Sequence, residues 1–270
     1  DGTPGVHACS RGLAAAVLAL ALGSEEGAPP VVLAVEAEPW AIAGDSVALA
    51  EYLMVVASRA QTLLREQGRM GAEQAAELVR RHLGTCLDAC HSAVEFETVE
   101  RALDLARYQG ALGKLQYSSA LRLEQPADHA KGREALLALD EPRFLHQVNG
   151  RAPGELLRAP DLDALANDLS DAETAGPWLA CDEWRCHFHV PVHLEGLAGL
   201  RTTQAYADSL LRALLGDPDL WGIRELHVEI ETYTWSILPG SESQPLVEGM
   251  QREYEHVLGL LDDAGWTYVG

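Results

Sequence analysis

The sequence predicts an α/β fold of (β/α)-barrel type, and three observations predict it. Helical and strand patterns alternate along the chain, which argues for a parallel sheet with right-handed crossovers. The 270 residues, 47% of them hydrophobic, fit one α/β domain of barrel size better than two small ones. Five short apolar runs each end in a carboxylate, an imidazole or an amide: Val31 to Val35 into Glu36, Cys86-Leu87 into Asp88 and His91, Leu112 to Leu115 into Gln116, Cys186 into His187 and His189, and Leu226 to Val228 into Glu229 and Glu231. Parallel strands joined by helices deliver their C-terminal ends to one face, where barrels of this kind carry their chemistry.

The elements follow in order. An Ala/Leu-rich helix over 10–22 is stopped by Gly23 and read as a buried barrel helix; its run Leu13 to Leu22 is too short for a bilayer and lacks a basic cluster before it. Strand 31–36 leads into a helical region from Ser46 to Leu83, broken near Gly68 to Gly71. Strand 84–88, helix 99–109, strand 112–117 and helix 131–139 follow. The stretch about 124–180 reads as an insertion into a single domain 1–270. It carries Pro142, Pro153, Pro160 and Pro177 and one short helix, 161–169. Strand 186–190, helix 202–215, strand 225–231 and helix 244–263 complete the chain. Five strands are legible where a closed barrel needs eight, so the barrel is expected to be incomplete; the turn-like opening Asp1-Gly2-Thr3-Pro4-Gly5 fits a missing N-terminal part.

Charge and cysteine usage bound the function. A net charge of −21 repels phosphate backbones and anionic lipid, which speaks against direct nucleic-acid binding or membrane insertion. The five cysteines, Cys9, Cys86, Cys90, Cys181 and Cys186, read as reduced thiols of a cytoplasmic protein, and their four- and five-residue spacings lack the C-x-x-C pairs of structural zinc. No G-x-S-x-G, G-x-G-x-x-G or Walker A string is present, so serine hydrolase, dinucleotide and nucleotide-triphosphatase chemistry have no motif.

The pairs Glu36 and Glu38, His187 and His189, and Glu229 and Glu231 are each two apart on extended segments, so each pair points to one side of its strand. If that side is the interior, several carboxylates converge with Asp88, and they repel unless a cation or proton neutralises them. Oxygen-rich ligation with one or two imidazoles suits Mn²⁺, Mg²⁺ or Zn²⁺. His146 and His227 read as hydrogen-bonded core histidines, and His193 stays open. Asp88 and His91 have a second reading as a helix cap. Trp235 and Tyr233 fit a rim, with Trp40 and Trp235 as an alternative apolar wall against a ligand.

These residues carry a resemblance. Asp88-Ala89-Cys90-His91, with Glu36 before it and Glu229 after it, resembles the metal and substrate site of the xylose isomerase-like TIM barrels, the sugar isomerase and epimerase superfamily. More narrowly, the strings 87–97, Gly113-Lys114-Leu115-Gln116 with Ser118 to Leu121, Cys186 to Pro191 and Glu229 to Trp235 are similar to EboE-like metabolite traffic proteins, TIM-barrel members of bacterial ebo operons. The likeness runs over essentially the whole chain as strands four to eight of that barrel. It implies a secondary-metabolite processing or export pathway, a small hydroxy- or carbonyl-bearing metabolite as partner, other ebo-operon proteins as further partners, and isomerase or epimerase chemistry on a divalent metal. Glu36, Asp88, His187 and Glu229 are the expected ligands. His91 and Lys114, with Glu36 and Glu229, are the expected catalytic groups; Gln116, His189, Glu231 and Trp235 are expected to bind substrate, with His189 and Glu231 also open to proton transfer. Gln116 stands where the sugar epimerases have a histidine, which favours the alternative of a non-catalytic metabolite-binding protein. A metal-dependent hydrolase or endonuclease is the third reading, against which the charge counts.

Overall fold

The computed structural model describes residues 4–25, 27, 29–107, 111–220, 226–239 and 245–267. The expected end of helix 99–109, the first residue of strand 225–231, the first residue of helix 244–263 and the turn at residues 1–3 lie outside the described residues. The chain is mixed α/β, about half of it helical, and it divides into two compact units. Unit 1 comprises Asp1–Leu87, Glu100–Leu115 and Asp217–Val228, and unit 2 comprises Asp88–Val99, Gln116–Gly216 and Glu229–Gly270.

Unit 1 is built on three helices, α1 (Pro4–Gly23), α2 (Ser46–Glu66) and α3 (Ala72–His82). Asp45 caps α2, its carboxylate accepting the Ala48 amide at 2.8 Å, which meets one of the unpaired donors of the first turn. The break expected near 68–71 is the α2–α3 turn, where a Cβ on Gly68 would stand 2.5 Å from the Leu64 carbonyl oxygen. Ala14, Val17, Leu53, Val56, Ala60, Leu64 and Val79 bury their side chains together. Helix α1 starts earlier than its apolar run suggests. Over Gly5–Gly23 (mean hydropathy 1.5), as over α2 (1.3), it is long and apolar enough by length and composition to cross a membrane. Core helices of soluble proteins meet the same criterion, and α1 and α2 pack on each other and on α3.

Helix α3 runs without a linker into β2 (Leu83–Asp88), which pairs parallel with β1 (Leu33–Glu36), Leu33 opposite Leu83 and Glu36 opposite Cys86. His82 is buried at the junction, its ring nitrogens 2.8 Å from the Val31 carbonyl and 3.2 Å from the Ser24 hydroxyl. With β3 (Ala111–Tyr117) and β10 (Val228–Ile230), these strands form a four-stranded sheet in the order β1-β2-β3-β10.

Unit 2 departs from the expected parallel layering. Its six-stranded sheet, in the order β6-β5-β7-β4-β9-β8, pairs antiparallel at every junction. The strands are β4 (Leu121–Glu124), β5 (Val148–Ala152), β6 (Glu155–Ala159), β7 (Glu183–Cys186), β8 (Gly196–Leu197) and β9 (Leu200–Thr202). The segment expected to be an irregular insertion supplies β5 and β6. Pro153 and Gly154 turn the chain in two residues, Gly154 at φ +85°, as a proline-glycine turn with a left-handed second position requires. Two residues suffice between antiparallel strands, whereas parallel ones need a crossover of a dozen or more. One face of the sheet is apolar, with Leu121, Leu123, Val148, Ala159, Trp184 and Cys186 in one core with Leu162 and Leu165 of α7 (Leu162–Ser170). Further helices are α4 (Ala89–Val94), α6 (Ala130–Leu137), α8 (Ala172–Leu179), α9 (Gln204–Gly216) and α10 (Leu246–Asp263), with α5 (Val99–Ala106) lying almost wholly in unit 1. All five cysteines are free thiols; Cys9 is exposed and the rest are buried.

Candidate metal centre

The centre begins at Asp88, the N-cap of α4. Its Oδ1 accepts the His91 amide at 2.8 Å and the Ser118 hydroxyl at 2.9 Å. The Ser118 oxygen in turn accepts the Cys90 amide at 2.8 Å. Capping therefore explains one carboxylate oxygen only. Oδ2 is buried with no hydrogen-bond partner among the described residues, an arrangement that costs a few kcal/mol unless another group meets it. Helix α4 is itself tied to the polar face of the antiparallel sheet. Arg185 donates to the Ala93 carbonyl at 2.6 Å, and Asn149 donates to the Val94 carbonyl and to Glu95, each at 3.0 Å. Glu95 also pairs with Arg158, and Phe96 lies under the guanidinium groups of Arg185 and Arg151, at 4.1 and 4.9 Å.

Two imidazoles come from the segment after β7. His187 Nδ1 stands 2.6 Å from the Gln147 side-chain oxygen, and His189 Nδ1 stands 2.9 Å from the Glu231 carbonyl. Both partners are oxygen acceptors, so both Nδ1 atoms carry the proton and each Nε2 is left with its lone pair. This is the arrangement that orients metal-ligating histidines. The His187 and His91 Nε2 atoms are 3.0 Å apart, and the His91 ring centroid lies 4.5 Å from that of His187 and 5.4 Å from that of His189. Tyr233 borders the cluster, its ring 4.6 Å from His189 and its hydroxyl 3.5 Å from His187 Nε2.

Within unit 2, two fully buried trios bring their ligand atoms within 4.8 Å of one another: Asp88, His91 and His189, and Cys90, His187 and His189. Burial acts to raise the Asp88 pKa, yet His91, His189, the His91 amide and the Ser118 hydroxyl together hold it below the usual carboxylate value. Burial also pushes His187 well below the ordinary imidazole value, reinforced by His91, His189 and His146, and it pushes the Cys90 thiol well above its own, helped by Asp88, Cys186 and Glu231. An anionic carboxylate beside a buried imidazole that resists protonation, His187, is a donor set matched to a divalent cation.

The expected site residues distribute as follows. Asp88, His91, His187 and His189 come together in unit 2. Glu231 joins them, its carboxylate oxygen within 4.8 Å of that of Asp88 and accepting from the buried Gln116 side chain. Glu229, two residues earlier on β10, is exposed. Trp235 lies under α10, where a Cβ on Gly249 would meet its ring at 2.2 Å, and it hydrogen-bonds Glu253. Glu36 at the end of β1 and Lys114 in β3, both half-buried, belong to unit 1. His146 is fully buried, stacked on Phe188 and bonded to the His187 carbonyl at 3.1 Å, and His227 is exposed. Sequence reasoning passed over Cys90, Gln147 and Ser118. Cys90 was legible inside the Asp-x-x-His string; Gln147 depends on β5 lying beside β7, which no local pattern announces.

Comparison with protein-family models, with curated proteins and with solved structures finds no match for this chain. The site's own chemistry, a carboxylate and three imidazoles buried together, therefore carries the functional argument.

Proposed function

We propose that this chain is a metal-dependent enzyme of the isomerase or epimerase kind, acting on a small hydroxy- or carbonyl-bearing metabolite. The observation that carries the reading is Asp88, buried with one oxygen held by two hydrogen bonds and the other unmet, beside the His91 and His189 ligand atoms. Asp88, His91 and His189 would hold the ion, with His187 alongside. Bound there, a divalent ion supplies Lewis-acid polarisation of a substrate carbonyl or hydroxyl.

The two carboxylates take different parts. The Asp88 side chain is 0% exposed and that of Glu231 is 31% exposed. Carboxylates in unlike environments divide into a fixed charge and a proton carrier. Glu231 is the group to move a proton at the carbon next to the carbonyl, and the Gln116 amide orients it. Tyr233 offers a hydroxyl and an aromatic edge to a bound metabolite. The wider reading is an EboE-like, xylose isomerase-like TIM barrel, cytoplasmic, serving secondary-metabolite processing. It is supported by the parallel β1 and β2, whose end delivers Asp88, and by the motifs quoted above. A non-catalytic metabolite-binding protein is the second reading, favoured by the Gln116 hydrogen bond, which ties down the candidate base.

The test is metal content, measured on the 270-residue chain purified without chelator, beside Asp88→Ala and His189→Ala variants. About one equivalent of metal, lost in His189→Ala, is expected, with Mn²⁺ binding lost in Asp88→Ala as well; a metal-free wild-type chain that takes up neither Mn²⁺ nor Zn²⁺ sinks the proposal. Solvent deuterium entering candidate hydroxy-carbonyl compounds, followed by proton NMR, then separates the two readings: exchange that Glu231→Gln abolishes supports the enzyme, and binding without exchange supports the carrier.

A further inference from the structure

Resting on that metal reading, we propose that the centre holds two alternative ligand sets that share His189, and that a thiophilic divalent ion such as Zn²⁺ takes the set Cys90, His187 and His189. The ligand atoms of this trio lie within 4.8 Å of one another and all three residues are buried.

The two sets exclude each other. His189 spends its Nδ1 proton on the Glu231 carbonyl and has one lone pair left, on Nε2, which serves one ion at a time. A pair of ions bridged by this residue is therefore not available. What differs between the sets is ligand softness: Asp88 and His91 offer oxygen and nitrogen, while Cys90 and His187 offer sulfur and nitrogen. Carboxylate-containing sites suit Mn²⁺, and thiolate with imidazole suits Zn²⁺.

Further features fix the sulfur in place. The backbone amide of Phe188, the residue between the two imidazoles, hydrogen-bonds the Cys90 sulfur. The Cys90 backbone is itself fixed by its amide bond to Ser118, and the hydrogen bond to Gln147 leaves the His187 lone pair on Nε2. When the ion binds, the thiol gives its proton to solvent and a sulfur–metal bond forms in its place. Asp88 and His91 are then released to meet substrate or water; with Mn²⁺ in the other set, Cys90 stays a thiol.

The experiment is a Co²⁺ titration of the 270-residue chain, read by near-ultraviolet thiolate-to-cobalt charge-transfer absorption, with Mn²⁺ binding followed in parallel by electron paramagnetic resonance. The band is expected in the wild-type chain and in Asp88→Asn, and it is lost in Cys90→Ser, which still binds Mn²⁺. Cadmium-113 NMR of the wild-type chain needs no variant and is expected to report one sulfur ligand. Co²⁺ and Mn²⁺ binding with no charge-transfer band and no sulfur-shifted cadmium signal overturns the alternative set and leaves the metal centre standing. Binding of no ion at all overturns both.

Discussion

The Nδ1 atom of His187 and the side-chain oxygen of Gln147, forty residues apart in sequence, stand 2.6 Å from each other inside unit 2. That bond decides which nitrogen of a buried neutral imidazole faces the cluster. Gln147→Leu keeps the volume and removes the acceptor. Partners of this kind are worth about 10–100-fold in metal affinity, so Zn²⁺ binding measured by competition is expected to weaken by that factor, with the near-ultraviolet circular dichroism unchanged. An unaltered affinity would show that Gln147 does not set the tautomer.

Glu253 of α10 is buried, accepts the Val192 amide at 3.2 Å and is bonded by Thr232 and Trp235. It thus grips the stretches that follow His189 and Glu231. Burial raises its pKa, partly offset by the bonds from Thr232, Val192 and Trp235. The folded state therefore holds its proton to a higher pH than the unfolded chain does. Its contribution to stability is fully present below the unfolded value of 4.5 and is lost as pH rises through the folded value. Glu253→Gln keeps an acceptor oxygen and removes the ionisation. The melting temperature of the variant relative to wild type is expected to be a few degrees higher at pH 7.5 than at pH 4. A difference that does not change with pH would refute the buried ionisation.

Gly249 lies where α10 crosses Trp235, and an added Cβ would stand 2.2 Å from the indole ring. Alanine in place of a helical glycine is worth about 1 kcal/mol of propensity, while overpacking costs about 1–3 kcal/mol. Because the ring is held by its bond to Glu253, overpacking is expected to win, and Gly249→Ala should melt several degrees below wild type in calorimetry. A melting point at or above wild type would mean that the indole moves aside freely.

Much of unit 1 was legible because its signals are local. The helical pattern from Ser46 announces α2, and the glycines at 68 and 71 mark its break. In unit 2, Asp88 with His91 could be read because three residues on a cap bring a side chain back over a carboxylate. The antiparallel sheet could not be read so directly. Val148 to Ala152 carries Asn149 and Gly150 among its apolar positions, and the cost of these residues in a strand is offset only by tertiary partners: Asn149 bonds Val94 and Glu95, and Gly150 leaves room for Trp178, whose ring a Cβ would meet at 2.8 Å. Glu229 and Glu231 show the limit of period-two reasoning. Glu229 lies within β10 and is exposed, while Glu231 lies beyond the strand's last residue, so a spacing of two did not bring shared burial.

The three separate stretches that make up unit 2 give the centre a place in time. Asp88 and His91 come from the first, His187 and His189 from the second, and Glu231 from the third. His91 and His187 meet across 96 residues, and His189 and the Glu231 carbonyl across 42. Loop closures of that span are late, slow events in folding. A nascent chain therefore emerges with these side chains dispersed, and the tautomer of His189 is not fixed until the segment bearing Glu231 has been synthesised. On the proposed metal reading, capture of the ion is the last act of folding, and loss of the C-terminal stretch would leave the four histidine and aspartate side chains in the chain but remove the carbonyl that His189 is bonded to.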